Sequence, residues 1–346
     1  MSDKYIPALR LAVSDPRKRL RASGARKFIR GRRGKNCLSL LLLALTTSSA
    51  QRAGPGGSPI ASEESQSVAY RSVVSEVRLV FFATDEDSQN VQELGKDDFA
   101  IVDDERVIRE FRSLTRSVSM NLDVIMLIDS SESVLSHFRE ESAVVEKLIW
   151  HSPWRPGDRF SVLTFSGRET HVICDEDCSD SFTADRLVPQ GGATPLLDAV
   201  EVATRLLMKR KRPDVWPVIL LFSDGDDTIS KATFSELRET ILSDDTRIYA
   251  IDVSNSRQPS NGAATMQRLA AESGGRYFLL SEGAARIFKD VIDDLHSARL
   301  VIYQLPNSGS DFHSIRILPT HNLKLHFRCR QGYYYRAASR NSEENQ

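Results

Sequence analysis

Between residues 122 and 280 the chain alternates short, wholly apolar segments with stretches whose apolar positions repeat at helical spacing. Wholly apolar strands are typical of a parallel sheet that is covered on both faces. Helical stretches between such strands favour consecutive βαβ units. We therefore predict an α/β fold with a doubly wound, mostly parallel, Rossmann-like sheet of six strands. The predicted strands are LDVIMLID (122–129), RFSVLTFS (159–166), THVICD (170–175), WPVILLFSD (216–224), RIYAIDVS (247–254) and RYFLL (276–280).

Helices are predicted in the gaps between these strands. A capping box at Thr233 and Glu236 marks the start of one helix, and Gly274–Gly275 ends the next one. A long amphipathic run covers residues 196–208, and the last helix is predicted over residues 283–298. The first helix carries one apolar face, made of Val134, Phe138, Val145, Leu148 and Ile149.

The segments on either side of this region alternate in the manner of strands, with no helical stretch between them. We predict a small β module over residues 70–118, and further strands over residues 299–336 that pack against it. The acidic stretch DEDSQNVQELGKDD resembles a calcium loop. However, Asn90 stands where such a loop needs glycine and Lys96 where it needs a bidentate glutamate. This stretch is therefore predicted to be a solvated hairpin loop.

The composition of the whole chain is ordinary for a globular protein, with 40% hydrophobic residues, 27% charged residues and a net charge of -1. This charge gives no basic footprint for nucleic acid. An unusual composition is found chiefly at the N-terminus. Residues 17–35 contain no acid and lead into CLSLLLLAL, which is too short to span a bilayer.

This order predicts that residues 1–50 are a basic segment with a secretory signal peptide, cleaved near Ser49 and Ala50. The chain would then be exported and periplasmic, cell-surface or secreted. A signal-anchor that keeps it at a membrane is one alternative, and a basic tail beside a buried strand is another. Residues 51–69 are predicted to be a flexible linker and residues 337–346 a disordered tail.

The four cysteines fit an exported chain. Cys174 and Cys178 lie four positions apart in CDEDC and could form a disulfide in an oxidising compartment. A zinc site formed by this pair with a histidine is the alternative, although no second cysteine pair is present to complete it. Cys37 would be removed with the signal, which leaves Cys329 without a partner.

Three polar segments follow predicted strands or precede a predicted helix at one edge of the sheet. Loops at the carboxyl ends of the strands form the ligand site of a doubly wound sheet. A small cation such as Mg²⁺ takes oxygen ligands and prefers one or two carboxylates. We therefore predict a site for Mg²⁺, or alternatively Mn²⁺ or Ca²⁺. Its predicted ligands are Asp129, Ser131, Ser133, Thr194 and Asp224. The two serines are alternatively caps of the first helix, a role that is compatible with metal binding.

This order, DxSxS followed by a threonine in a glycine-rich loop and an aspartate before glycine, resembles the metal-ion-dependent adhesion site of von Willebrand factor A (VWA) and integrin I domains. The resemblance implies a VWA domain over residues 119–298. It implies that Ser131 and Ser133 coordinate the metal directly, and that Asp129 and Asp224 act directly or through water. Thr194 would join or leave the ligand set as the last helix moves.

The flanking segments extend this resemblance. VRLVFFATDEDSQNVQELGKDDFAIVDDERVIREF before the domain and FRCRQGYYY after it are similar to the acidobacterial-type VWFA-related exported proteins. The resemblance then covers roughly residues 70–336. Glu132 departs from the family motif, which commonly has glycine at this position, and adds negative charge beside the predicted ion.

The function that this predicts is adhesion-type binding, in which an acidic residue of a partner protein completes the metal shell. The sequence predicts no enzyme and no nucleic-acid partner, and a membrane partner only if the signal is retained as an anchor. A metal-dependent phosphatase or hydrolase of the haloacid-dehalogenase type is the alternative from another class. Against it, Ser131 stands where that class needs a second aspartate, and no GxSxG motif is present. A structural module with a vestigial site is the third hypothesis.

Overall fold

The structure is a computed structural model of the 346-residue chain. It describes residues 76–116, 120–151, 153–176, 178, 182–254, 258–306 and 311–335. The predicted signal segment, the linker and the C-terminal tail lie outside these residues. The strands of the described part are β1 Glu76–Thr84, β2 Phe99–Asp103, β3 Arg106–Ile108, β4 Ser113–Arg116, β5 Asn121–Asp129, β6 Arg159–Ser166, β7 Glu169–Cys174, β8 Val215–Ser223, β9 Arg247–Asp252, β10 Tyr277–Leu279, β11 Arg299–Gln304, β12 Phe312–Pro319, β13 His326–Cys329 and β14 Gly332–Tyr334. The α-helices are α1 Phe138–His151, α2 Leu196–Lys209, α3 Phe234–Asp244, α4 Ala263–Ser273 and α5 Ala284–Ser297.

A six-stranded sheet with the order β10-β9-β8-β5-β6-β7 forms the centre of the α/β domain. Its strands are parallel except for β7, which runs antiparallel to β6. From β5 the chain passes to β6 and β7, and then returns through α2 to β8 on the other side of β5. The predicted doubly wound fold is therefore confirmed, and its topological switch point lies between β5 and β8.

Helices cover both faces of this sheet, as the wholly apolar strands predict. Helices α1 and α5 pack on one face, against buried residues such as Met126 and Leu220. Helices α2, α3 and α4 pack on the other face, against residues such as Leu127 and Leu221. Alternate residues of the same strand thus enter two different cores, since successive side chains point to opposite faces.

The local signals in the sequence mark most element boundaries correctly. Thr233 caps α3, accepting a hydrogen bond from the Glu236 backbone nitrogen, and Glu236 completes the capping box. Gly274 ends α4 with a positive φ of 75°, a conformation that glycine adopts without steric cost. Ser131 precedes a short 3-10 turn but makes no side-chain capping bond, so its hydroxyl is not used as a helix cap.

A β module formed from both ends of the described chain flanks the α/β domain. Strand β1 pairs with β11 and β13, and β2 pairs with β12, in each case antiparallel. Leu79 and Phe81 of β1 point into the core of this module. Val80 and Phe82 of the same strand point the other way, into the core that also contains α1 and α5. Both faces of β1 are therefore buried.

Cys174 and Cys178 form a disulfide, which places both sulfur atoms out of reach of the alternative zinc site. Cys329 in β13 is a free thiol, and burial raises its pKa to about 11. None of the helices in the described ranges combines the length and apolar character needed to cross a bilayer.

Candidate metal site

The five residues predicted to bind metal lie at the topological switch point of the sheet. Asp129 is the last residue of β5, and Asp224 directly follows β8, its neighbour in the sheet. Thr194 lies two residues before α2. The loops that carry Asp129 and Asp224 leave the carboxyl ends of the parallel strands β5 and β8, where open α/β sheets bind their ligands. Thr194 reaches the same point from the segment between β7 and α2.

Three hydroxyl groups meet at this point. The Oγ atoms of Ser131 and Ser133 lie 3.2 Å apart. The Thr194 hydroxyl donates a hydrogen bond to Ser131 Oγ over 2.9 Å, across a separation of 63 residues in the chain. Ser131 and Thr194 are buried, whereas Ser133 is exposed. The hydroxyl cluster therefore has one side in the protein and one side open to solvent.

Asp129 is held rigidly beside these hydroxyls. Its Oδ1 accepts a hydrogen bond from the Ser131 backbone nitrogen at 2.9 Å, and its Oδ2 accepts one from the Ser223 hydroxyl at 2.7 Å. Each carboxylate oxygen keeps a further lone pair. The pKa of Asp129 is raised to about 6, because burial, together with the charge of Asp224, raises it by more than the hydrogen bonds from Ser131 and Ser223 lower it.

Backbone hydrogen bonds fix the glycine-rich loop against the loop after β5. The backbone nitrogens of Gln190 and Gly191 donate to Ser130 O, and the Glu132 nitrogen donates to Gly192 O. Gly191 and Gly192 have positive φ values of 71° and 85°, which favour glycine. These bonds hold Thr194 close to Ser131.

The loop after β8 is tied to the same assembly. The Thr194 backbone nitrogen donates to Thr228 Oγ1 at 2.9 Å, and Asp227 Oδ1 accepts from the Leu196 nitrogen at the start of α2. The Asp227 carboxylate thus accepts a hydrogen bond from the first backbone nitrogen of α2. Gly225 has a φ of +82°, and a Cβ at this position would lie 2.5 Å from Gly262 O. This close contact fixes the position of the loop beside Asp224.

The donor set suits a divalent cation. Hydroxyl and carboxylate oxygens from three loops are the ligands that small hard cations prefer. Two aspartates and three neutral hydroxyls supply few negative charges, and the exposed Ser133 leaves a path from solvent.

Comparison with protein families identifies this part of the chain. Residues 124–226 match the model of the von Willebrand factor type A domain, and all five predicted ligands fall within this range. These residues form a VWA domain. The narrower resemblance to VWFA-related exported proteins stays a prediction. A search of curated proteins found no match for the chain.

Solved structures with related folds are distant from this VWA domain and its β module. An aerotolerance-related membrane protein from Bacteroides fragilis NCTC 9343 is 18% identical, with a TM-score of 0.37, and the match covers 51% of this chain and 98% of that one. Proximal thread matrix protein 1 from the mussel byssus, with a zinc-occupied MIDAS motif, is 15% identical, with a TM-score of 0.41, and the match covers 56% and 50%. The chain thus matches about half the length of the mussel protein.

Manganese-loaded TRAP protein from Plasmodium vivax is 14% identical, with a TM-score of 0.39, and the match covers 64% of this chain and 82% of that one. TM-scores in this range carry no information about the function of this chain.

Glu141 is a residue of the VWA domain that sequence reasoning missed. It lies in the first turn of α1, is fully buried, and neither of its carboxyl oxygens has a hydrogen-bond partner among the described residues. Burial raises its pKa well above the usual value, and the negative charges of Asp129 and Asp224 raise it further. The signal in the sequence is an acidic residue on the apolar face of the predicted first helix.

Sequence reasoning also missed a polar cluster in the β module. Asp103 and Asp104, at the end of β2, meet His313 of β12, whose Nδ1 lies 2.9 and 3.1 Å from their carboxyl oxygens. Asp103 Oδ2 also accepts hydrogen bonds from the hydroxyls of Tyr303 and Tyr333. These three side chains could hold a metal ion. Hydrogen bonds from Tyr303 and Tyr333 and the contact with His313 also satisfy the Asp103 carboxylate without a metal ion.

Proposed function

We propose that the VWA domain binds a divalent cation and that an acidic side chain of a partner protein completes the shell of that cation. The observation that carries this proposal is the convergence of three hydroxyls on one another, beside a buried aspartate, at the switch point of the sheet. The proposed ligands are Asp129, Ser131, Ser133, Thr194 and Asp224.

Some residues of the site would bind the cation directly, and others orient the residues that bind it. Ser131, Ser133 and Thr194 present neutral oxygens, so they add ligands without adding negative charge. Ser223 and the Ser131 nitrogen orient the Asp129 carboxylate. When bound, a divalent cation supplies a Lewis-acid position that accepts a carboxylate oxygen. Ser133 is exposed, which supports approach of the partner from that side.

We further propose that the protein works in an oxidising compartment after export. The basic and apolar order of residues 17–45 supports this, because it matches a secretory signal. The Cys174–Cys178 disulfide supports it independently, since such bonds persist in exported proteins and are rare in the cytosol of mesophiles.

Calorimetric titration of the purified full chain with MnCl₂ tests the cation site. The wild type should bind one ion at the VWA site, and Asp129→Ala should remove that binding. Asp185→Ala is the matched control, because Asp185 is an exposed aspartate on a short 3-10 turn outside the site. Equal binding heats in the wild type and Asp129→Ala would refute the site.

A peptide array tests the proposed partner chemistry. Each acidic peptide is paired with the same peptide in which the acid is replaced by its amide. Binding that needs the acid, needs Mn²⁺ and is lost in Asp129→Ala is the expected result. Binding that is equal for acid and amide peptides would contradict the proposal. Magnesium-dependent turnover of a generic phosphate ester that is lost in Asp129→Ala would favour the hydrolase alternative instead.

A further inference from the structure

Glu141 lies on the buried face of α1, where the neighbouring side chains are apolar. Phe138, Val145 and Leu148 lie three residues before it, four after it and seven after it, and each is buried against the sheet. Residues at these spacings share one face of a helix. Glu141 therefore lies on the face of α1 that points into the core, and its side chain has 0% exposure.

The surroundings of the Glu141 carboxyl group destabilise it. A buried polar atom without a hydrogen bond loses its contacts with water and gains nothing in return. Both oxygens of Glu141 are in this situation within the described part of the chain. The ionisable groups that act on it are Asp129 and Asp224, and both are acidic. A positive charge in the site would turn this repulsion into attraction.

The position of α1 explains how Glu141 comes to lie there. The DxSxS segment connects β5 to α1, so the first turn of the helix lies next to the site. The Glu141 nitrogen donates to His137 O in this first turn. The Glu141 carboxyl group is buried in the core and close enough to Asp129 and Asp224 for their charges to act on it, whereas Ser133 is exposed to solvent.

We propose that Glu141 is a sixth residue of the cation site, an acidic group buried behind the ligands that raises the affinity of the site for a divalent cation. This inference rests on the proposed function. Glu141 acts as a positioning residue through its charge, and its place on the core side leaves the exposed side open for a partner. Groups outside the first ligand shell commonly change metal affinity by about 10- to 100-fold.

Calorimetric titration of the full chain with MnCl₂ tests this inference with two variants. Glu141→Gln keeps the shape but cannot ionise, so it cannot supply a negative charge to a bound cation, and it should weaken Mn²⁺ binding by about tenfold or more. Glu140→Gln is the matched control, because Glu140 is the neighbouring, exposed glutamate of the same helix. It should bind Mn²⁺ like the wild type. Equal Mn²⁺ affinity in Glu141→Gln and the wild type would overturn the inference.

Thermal unfolding separates this role from a structural one. In a chelator, the apolar variant Glu141→Met should raise the Tm, because it removes two buried oxygens that lack hydrogen bonds, and Glu141→Gln should change the Tm less, because its amide stays buried. Both should show a smaller increase in Tm with Mn²⁺ than the wild type. A Tm that falls by the same amount with and without Mn²⁺ would show a structural role only.

The Asp129→Ala variant distinguishes the two proposals. If neither the wild type nor Asp129→Ala binds Mn²⁺, the proposed function fails. If Asp129→Ala loses Mn²⁺ and Glu141→Gln binds it as tightly as the wild type, the inference about Glu141 alone fails.

Discussion

The Ser223 hydroxyl donates a hydrogen bond over 2.7 Å to Oδ2 of Asp129, a residue 94 positions earlier in the chain. The same hydroxyl oxygen accepts a hydrogen bond from the Gly225 nitrogen at 3.0 Å. Ser223 thus connects the ends of β5 and β8 and couples the orientation of Asp129 to the loop that carries Asp224.

Ser223→Ala should lower the affinity for Mn²⁺ by about tenfold, because Asp129 loses the hydrogen bond that orients it. Calorimetry on the full chain measures this effect. Ser130→Ala is the control, since the Ser130 hydroxyl is also buried at the end of β5 but donates to Phe165 O instead. Equal affinities in the two variants would contradict the orienting role.

The stability of the metal-free protein should fall as the pH rises through about 6. Burial raises the pKa of Asp129 to about 6 from the ordinary value of 3.8, so ionising it opposes folding. The protonated Asp129 therefore contributes about 3 kcal/mol to the free energy of unfolding below about pH 4, and this contribution is lost above pH 6. To isolate this effect, the free energy of unfolding by denaturant is measured in a chelator for both the wild type and Asp129→Asn across this pH range.

Saturating Mn²⁺ should reverse this trend in the wild type, because the metal binds the ionised carboxylate. In Asp129→Asn the reversal should be absent. If the difference in free energy of unfolding between the wild type and Asp129→Asn is the same at pH 4 and pH 7 in a chelator, the pKa of Asp129 is not raised.

Gly225→Ala should destabilise the VWA domain by roughly 3 kcal/mol and weaken Mn²⁺ binding, because the new Cβ meets Gly262 O at 2.5 Å and the backbone has a positive φ. Gly167→Ala is the control. Gly167 also has a positive φ, of +61°, but a Cβ there has nothing within 4 Å. It should cost only about 1 kcal/mol, so equal losses would show that the contact with Gly262 is unimportant.

Asp103→Ala should lower the free energy of unfolding by about 3 kcal/mol, because the hydroxyls of Tyr303 and Tyr333 and the ring of His313 lose a shared acceptor. Mn²⁺ binding at the VWA site should be unaffected. The same titration tests the cluster as a metal site. Two ions bound by the wild type and one by Asp103→Ala would show that the cluster binds a metal.

The parts of this structure that the sequence predicts are those with a local signal. The strand beginning at Leu122 is a run of apolar residues, and Asp129, Ser131 and Ser133 follow it within one short motif. Thr194 could be placed because a glycine-rich loop precedes an amphipathic helix. The direction of β7 was not predicted, since nothing in the apolar pattern separates an antiparallel edge strand from a parallel one.

The contacts that were missed depend on partners far away in the chain. Asp103 and His313 are 210 positions apart, and neither carries a motif. Ser223 has an ordinary position at the end of a strand until its partner Asp129 is located. Glu141 did interrupt the apolar face of the first helix, and only the structure shows that its carboxyl group is buried in the core without a hydrogen-bond partner among the described residues.

The direct connection between α5 and β11 limits how the site can change. A single residue, Ala298, separates the end of α5 from β11, and β11 is hydrogen-bonded to β1 on one side and β4 on the other. A lengthwise displacement of α5 would have to break these ladder bonds. The movement of the last helix that the family resemblance implies is therefore constrained by the pairing of β11 with its two neighbouring strands.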